Sequence, residues 1–179
     1  MDNTVYPVSL ETLAAVAGRL GFAFKSEADR QRVTVFVQGQ HARLIVHANL
    51  GVMKEEGLPW YIRFLTFSPD FEPLKAGIPP DRLMHWINDK NAELLFGRYY
   101  LDERTDTVAF EIAIPANGGI LGEDLTDLFW IATASVDQAH KDLIALAETP
   151  KPSAKPAARR RTPSPNPKPR RATRRKTEG

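Results

Sequence analysis

From Arg32 to Ala48 the chain reads RVTVFVQGQHARLIVHA, and two runs within it alternate. Val33, Val35 and Val37 fall to one side of the first run, and Leu44, Val46 and Ala48 fall to one side of the second. Only a strand repeats its facing every second residue, and the QGQ between the runs suits a hairpin turn. The chain is therefore expected to build an antiparallel sheet with at least one covered face.

The other segments are read around this hairpin. Ser9 is placed to cap a helix over residues 10 to 20, with Leu10, Leu13, Val16, Ala17 and Leu20 at helical spacing and Gly21 as the stop. A short strand follows at Phe22 to Lys25. After the hairpin, whose second strand is placed at His41 to Ala48, a polar loop, GVMKEEGLP, leads into the strand Trp60 to Phe67. That strand is apolar on both faces, so both sides are expected to be covered at least in part. Beyond a proline-punctuated connector, Pro80 opens a second helix over residues 80 to 92, marked by Leu83, Trp86 and Ile87. A second hairpin pairs Phe96 to Leu101 with Thr107 to Ile114. A long third helix starts near Glu123 and Asp124 and ends by Pro150, about 38 Å at 1.5 Å per residue. Its core stripe is Leu125, Leu128, Phe129, Ala132, Val136, Ala139, Leu143 and Leu146. The main elements thus run α-β-β-β-α-β-β-α. No strand–helix–strand unit recurs, so the fold class is α+β with an antiparallel sheet.

Residues 1–148 form the expected domain, and residues 149–179 form a Pro, Arg and Lys-rich tail. The tail holds 11 of the 24 basic residues and one acid, so it carries a formal +10 while the body carries −8. With few apolar side chains to offset ordering entropy, the tail is expected to be disordered. There are no cysteines, which removes disulfides, thiolate metal sites and thiol nucleophiles. The opening MDNTVYPVSLETL has no unbroken apolar run, and no window approaches the roughly 18 to 20 apolar residues that cross a bilayer. The expectation is a soluble cytoplasmic protein with no membrane contact.

The run INDKNAELLFGRYYLDERTDTVAFEIAIP, followed by a long helix opening at GEDLTDLFWIA, resembles the YbjN-like family. Asn88 and Asn91 match its spaced asparagines, Gly97 to Leu101 its glycine–arginine–aromatic strand, and Asp102 the start of its acidic turn. The opening helix, SLETLAAVAGRLGFAF, fits as well, so the resemblance covers roughly Ser9 to Glu148. The GVMKEEGLPW loop and the basic tail depart from it. The resemblance implies a type III secretion chaperone-like fold, a homodimer, binding of other polypeptides, and no catalytic residues; no cofactor is expected.

Candidate residues follow from exposure and charge. Trp130 falls about 160° from the centre of the third helix's stripe, with Ile131 and Ile144 flanking that stripe, so these three are expected at a dimer or partner contact. The competing expectation is cover by a loop or by the opening helix. Trp60, Tyr61 and Phe64 point alternately from one strand. One side must meet the core, and the other is available as aromatic anchors for a peptide. His41 and His47, about 20 Å apart on one strand, and the isolated His85 and His140 form no metal site. Asp102, Glu103 and Asp106 read as a solvated turn. In the tail, Arg159, Arg160, Arg161, Lys168, Arg170, Arg171, Arg174, Arg175 and Lys176 are suited to phosphates of nucleic acid or to an acidic partner. Without aromatic residues there, any nucleic-acid binding is expected to be sequence-independent and salt-sensitive. The function expected is a non-enzymatic protein-binding module. The alternative is an accessory factor held on DNA, RNA or a nucleoprotein by its tail.

Overall fold

Ser9 opens the first helix as its sequence demands: its Oγ accepts a hydrogen bond from the Thr12 amide at 3.2 Å. The structure, a computed structural model, describes residues 4–52, 59–116 and 118–149, and the side chains of residues 52, 59 and 60 lie outside that description. The elements are β1 (Val5–Tyr6), α1 (Leu10–Arg19), β2 (Ala23–Glu27), β3 (Arg32–Gln38), β4 (Arg43–Val52), β5 (Pro59–Phe67), α2 (Pro80–Glu93), β6 (Arg98–Asp102), β7 (Thr107–Pro115), β8 (Ile120–Leu121) and α3 (Gly122–Glu148).

Four strands, not three, separate α1 from α2. Ala23–Glu27 pairs antiparallel with β3 along its whole length, from Ala23 opposite Phe36 to Glu27 opposite Arg32. As an outermost strand it is mostly exposed, so its sequence carries little of the alternation that burial imposes. β4 also runs further than the hairpin pattern suggests, through Gly51. There the Tyr61 ring of the neighbouring strand lies so close that a Cβ on residue 51 would collide with it.

The six-stranded sheet has the order β2-β3-β4-β5-β7-β6, and every neighbouring pair is antiparallel. α2 carries the chain from β5 to the far edge, and β7 returns between β5 and β6. That far edge is closed by a side chain. Asn91 Oδ1 accepts from the Tyr99 amide at 2.7 Å, and its Nδ2 donates to the Tyr99 carbonyl at 3.0 Å. The Asn91 amide thereby takes the place of a further strand at Tyr99. A separate two-stranded pairing of β1 with β8 ties the start of the chain to the entrance of α3. Neither strand was expected, because two residues carry no readable period.

The three described α-helices pack on one face of the six-stranded sheet. Val33, Val35, Leu44, Val46, Ala48, Ile62, Phe64, Phe110 and Ile112 point into this layer and are buried. Phe64 meets Phe129 of α3 edge to face, with ring centroids 4.9 Å apart. The Tyr99 hydroxyl donates to the Ser135 carbonyl at 2.9 Å. Among the described residues no helix is long and apolar enough to cross a membrane.

Two carboxylates pin loops to this frame. Asp137, on α3, accepts from the amides of Gln40, His41 and Ala42 at 3.1, 2.9 and 3.0 Å, gathering the turn between β3 and β4. A Cβ on Gly39 would run into that carboxylate. Asp106 is buried rather than part of a wet turn tip. It accepts from the Leu74 and Lys75 amides at 3.1 and 2.9 Å and so fastens the connector before α2.

Candidate interaction surfaces

α3 is packed by its stripe, and what remains is its outer face. Leu125, Leu128, Phe129, Ala132, Val136, Ala139 and Leu143 are buried, as are Thr133 and His140 beside them. His140 is isolated in the sequence. It lies with its ring edge against Phe71, centroids 5.5 Å apart, and burial lowers its pKa. Opposite the stripe, Trp130 is 50% exposed and Ile144 is 38% exposed, while Ile131 is partly buried. Phe22, just past α1, meets the Trp130 ring edge to face at 5.5 Å and covers only part of it.

The β5 candidates separate. Phe64 is fully buried and unavailable to a partner. Its register explains why: it stands opposite Ala48, which is itself buried under the helices. Tyr61 points to the other face and lies half-buried over Gly51. The Trp60 side chain lies outside the described residues, as do the nine basic candidates of the tail, the first Arg159 and the last Lys176.

The second face of the sheet is covered by no described element. Cross-strand register assembles a row on it from five strands: Phe36 opposite Ile45, Ile45 opposite Phe67, Phe67 opposite Ala109, and Ala109 opposite Tyr100. Phe36 is 48% exposed, Ile45, Phe67 and Tyr100 are partly exposed, and Ala109 sits low between its two aromatic neighbours. Two hollows flank the row. One, about 430 Å³, is lined by Phe36, Ile45, Pro69 and the Arg43–Asp70 pair. The other, about 240 Å³, is lined by His47, Leu65, Phe67, Tyr100, Arg104 and Ala109.

Charged side chains rim this row in pairs. Arg32 donates to Glu27 at 2.6 and 2.8 Å, and Arg43 donates to Asp70 at 2.8 Å. Arg63 and Arg98 share the Glu111 carboxylate, which the two guanidinium groups hold below its usual pKa against the cost of burial. No candidate on either face was found by a motif. The open-face row is legible only after the strands are registered.

His41 and His47 do not share a strand, since His41 lies in the turn before β4. His47 Nδ1 is 3.1 Å from the Thr34 hydroxyl, and its ring tilts against Phe67. Burial first, and then the Arg32 charge, push its pKa down to about 4. The unfolded imidazole takes a proton near pH 6.5 while the folded one refuses it, so stability falls as pH drops from 6.5 and the loss is complete below about 4. Discounted for half-exposure, the loss is about 1–2 kcal/mol. Urea unfolding at pH 7 and pH 4.5 checks it: His47→Gln should shrink the difference by that amount, and an unchanged difference would refute the assignment.

Among the described residues no three His, Asp or Glu side chains are grouped to hold a metal ion. Residues 9–145 match a family described as "YbjN: Putative bacterial sensory transduction regulator". The fold is similar to a solved structure titled "Crystal structure of YbjN, a putative transcription regulator from E. coli", with TM-score 0.53 and 13% identity. The match covers 79% of this chain and 95% of that one. Among curated proteins none matches the chain.

Proposed function

The chain belongs to the YbjN family, and from that premise we propose a cytoplasmic, non-catalytic regulatory adaptor that acts as a homodimer and holds a partner polypeptide. The family is described as a regulator and not as an enzyme. A type III secretion chaperone-like fold is what the resemblance to this family implies.

The observation that carries the dimer is the spacing of exposed apolar groups on α3. Trp130 and Ile144 stand on its outer face about 21 Å apart along the axis, with exposed Ala134, Gln138 and Lys141 between them. Two copies of α3 packed antiparallel over exposed Ala134, Gln138 and Lys141, beside the turn that Asp137 holds, would bring Trp130 of each copy toward Ile144 of the other, the reciprocity a two-fold axis requires. Ala134 is small and stands near the crossing, so the helix axes can approach.

A tryptophan buried in such a contact contributes about 2 kcal/mol or more in each copy. Trp130→Ala should therefore move the dimer to a monomer in sedimentation at micromolar concentration, with little change in the thermal melt of the fold. A subunit mass that is the same before and after the substitution sinks the α3 dimer.

A further inference from the structure

We infer that the open face of the six-stranded sheet is the docking surface for an acidic amphipathic helix of a partner protein. This rests on the polypeptide-binding reading above and assigns that partner its chemistry.

Charge is the first argument. Among the described residues, the strands of this face and their ion-pair partners supply seven cations: Lys25, Arg30, Arg32, Arg43, Arg63, Arg98 and Arg104. They supply four acids: Glu27, Asp70, Asp102 and Glu111. The face is thus +3 on a body whose formal charge is −8. Complementary charge selects partners and speeds encounter. A second copy laid face to face would set +3 against +3, so the face favours an acidic occupant over itself.

Shape is the second argument. The apolar row crosses from β3 to β6, four strand spacings, or about 19 Å. The centres of its two hollows are about 12 Å apart by the same spacing, close to two turns of α-helix at 5.4 Å each. A helix lying along the row puts one anchor in the Phe36–Ile45 hollow and a second over Ala109, between Phe67 and Tyr100.

Backbone chemistry is the third. A sheet's face offers no free amides or carbonyls, because these point along the sheet to neighbouring strands. An occupant must satisfy its own backbone, which a helix does and an extended peptide does not.

The test uses two synthetic 16-residue helical peptides with the same leucine and tryptophan stripe. One carries Glu and Asp on its polar side, the other Lys and Arg. Each is titrated into the full-length chain while backbone amide resonances are followed. The acidic peptide should move the amides of Phe36, Ile45, Phe67, Ala109 and Tyr100, and its affinity should fall at least tenfold between 50 and 300 mM salt. Phe36→Asp and Arg104→Glu, both at exposed side chains, should each weaken it at least fivefold. The basic tail is common to all three chains, so differences among them report the face alone. An acidic peptide that moves α3 amides instead would overturn this inference and leave the adaptor reading standing. Saturable binding that Phe36→Asp and Arg104→Glu leave unchanged, or equal movement of the same amides by the basic peptide, would also overturn it. No binding of either peptide to the folded body would overturn both.

Discussion

Replacing Phe64 by alanine should lower the stability of the protein by about 3–5 kcal/mol, the usual cost of emptying a buried aromatic site. The ring is fully buried and packs edge to face on Phe129 of the long helix, so its removal opens a hole between sheet and helix layer. Phe64→Leu keeps much of the volume and should cost distinctly less. Urea unfolding reads both. If Phe64→Ala shifts stability by under 1 kcal/mol, or weakens partner binding while the fold stays intact, the side chain faces outward and the strand register described above is wrong.

Asp137→Ala should cost about 2–4 kcal/mol, since hydrogen bonds to a charged group contribute roughly 1.5–3 kcal/mol each and three sharing one acceptor do not add fully. The amides of Gln40, His41 and Ala42 would lose their common acceptor, and the turn joining β3 to β4 would come away from α3. Hydrogen exchange separates this local effect from a global one. Exchange at residues 40–42 should rise well beyond that of the central strands. Protection there that matches the unaltered chain would mean the carboxylate does not hold the turn.

These two residues show how unevenly the structure was legible. Asp137 reads as one more polar residue on a helix, because its partners lie 95 to 97 residues earlier in the chain. Phe64 sits in WYIRFLTF, where apolar residues occupy both parities and periodicity cannot choose between them. Register against β4 decides. Phe64 stands beside Ala48 under the helices, whereas Leu65 stands beside His47 on the open side. Trp130 is the contrary case. The α3 stripe is long and regular enough for its angular distance alone to put it outside, and it is half exposed. Asn91 was visible as part of a family pattern, but its work at the β6 edge emerges only once α2 and that strand are adjacent.

The sequence by itself determined the local periods: the alternation of β3 and β4, the capped opening helix, the long stripe of α3, and the family to which their order belongs. Those follow from the angle between successive side chains, which neighbouring residues set among themselves. Tertiary structure decided which face of β5 is core, which carboxylates hold loops, and that Phe36, Ile45, Phe67, Ala109 and Tyr100 form one surface. Those facts depend on pairing between strands far apart in the chain. A shift of one residue in any pairing would turn its side chains to the opposite face, and no local pattern records which register is made.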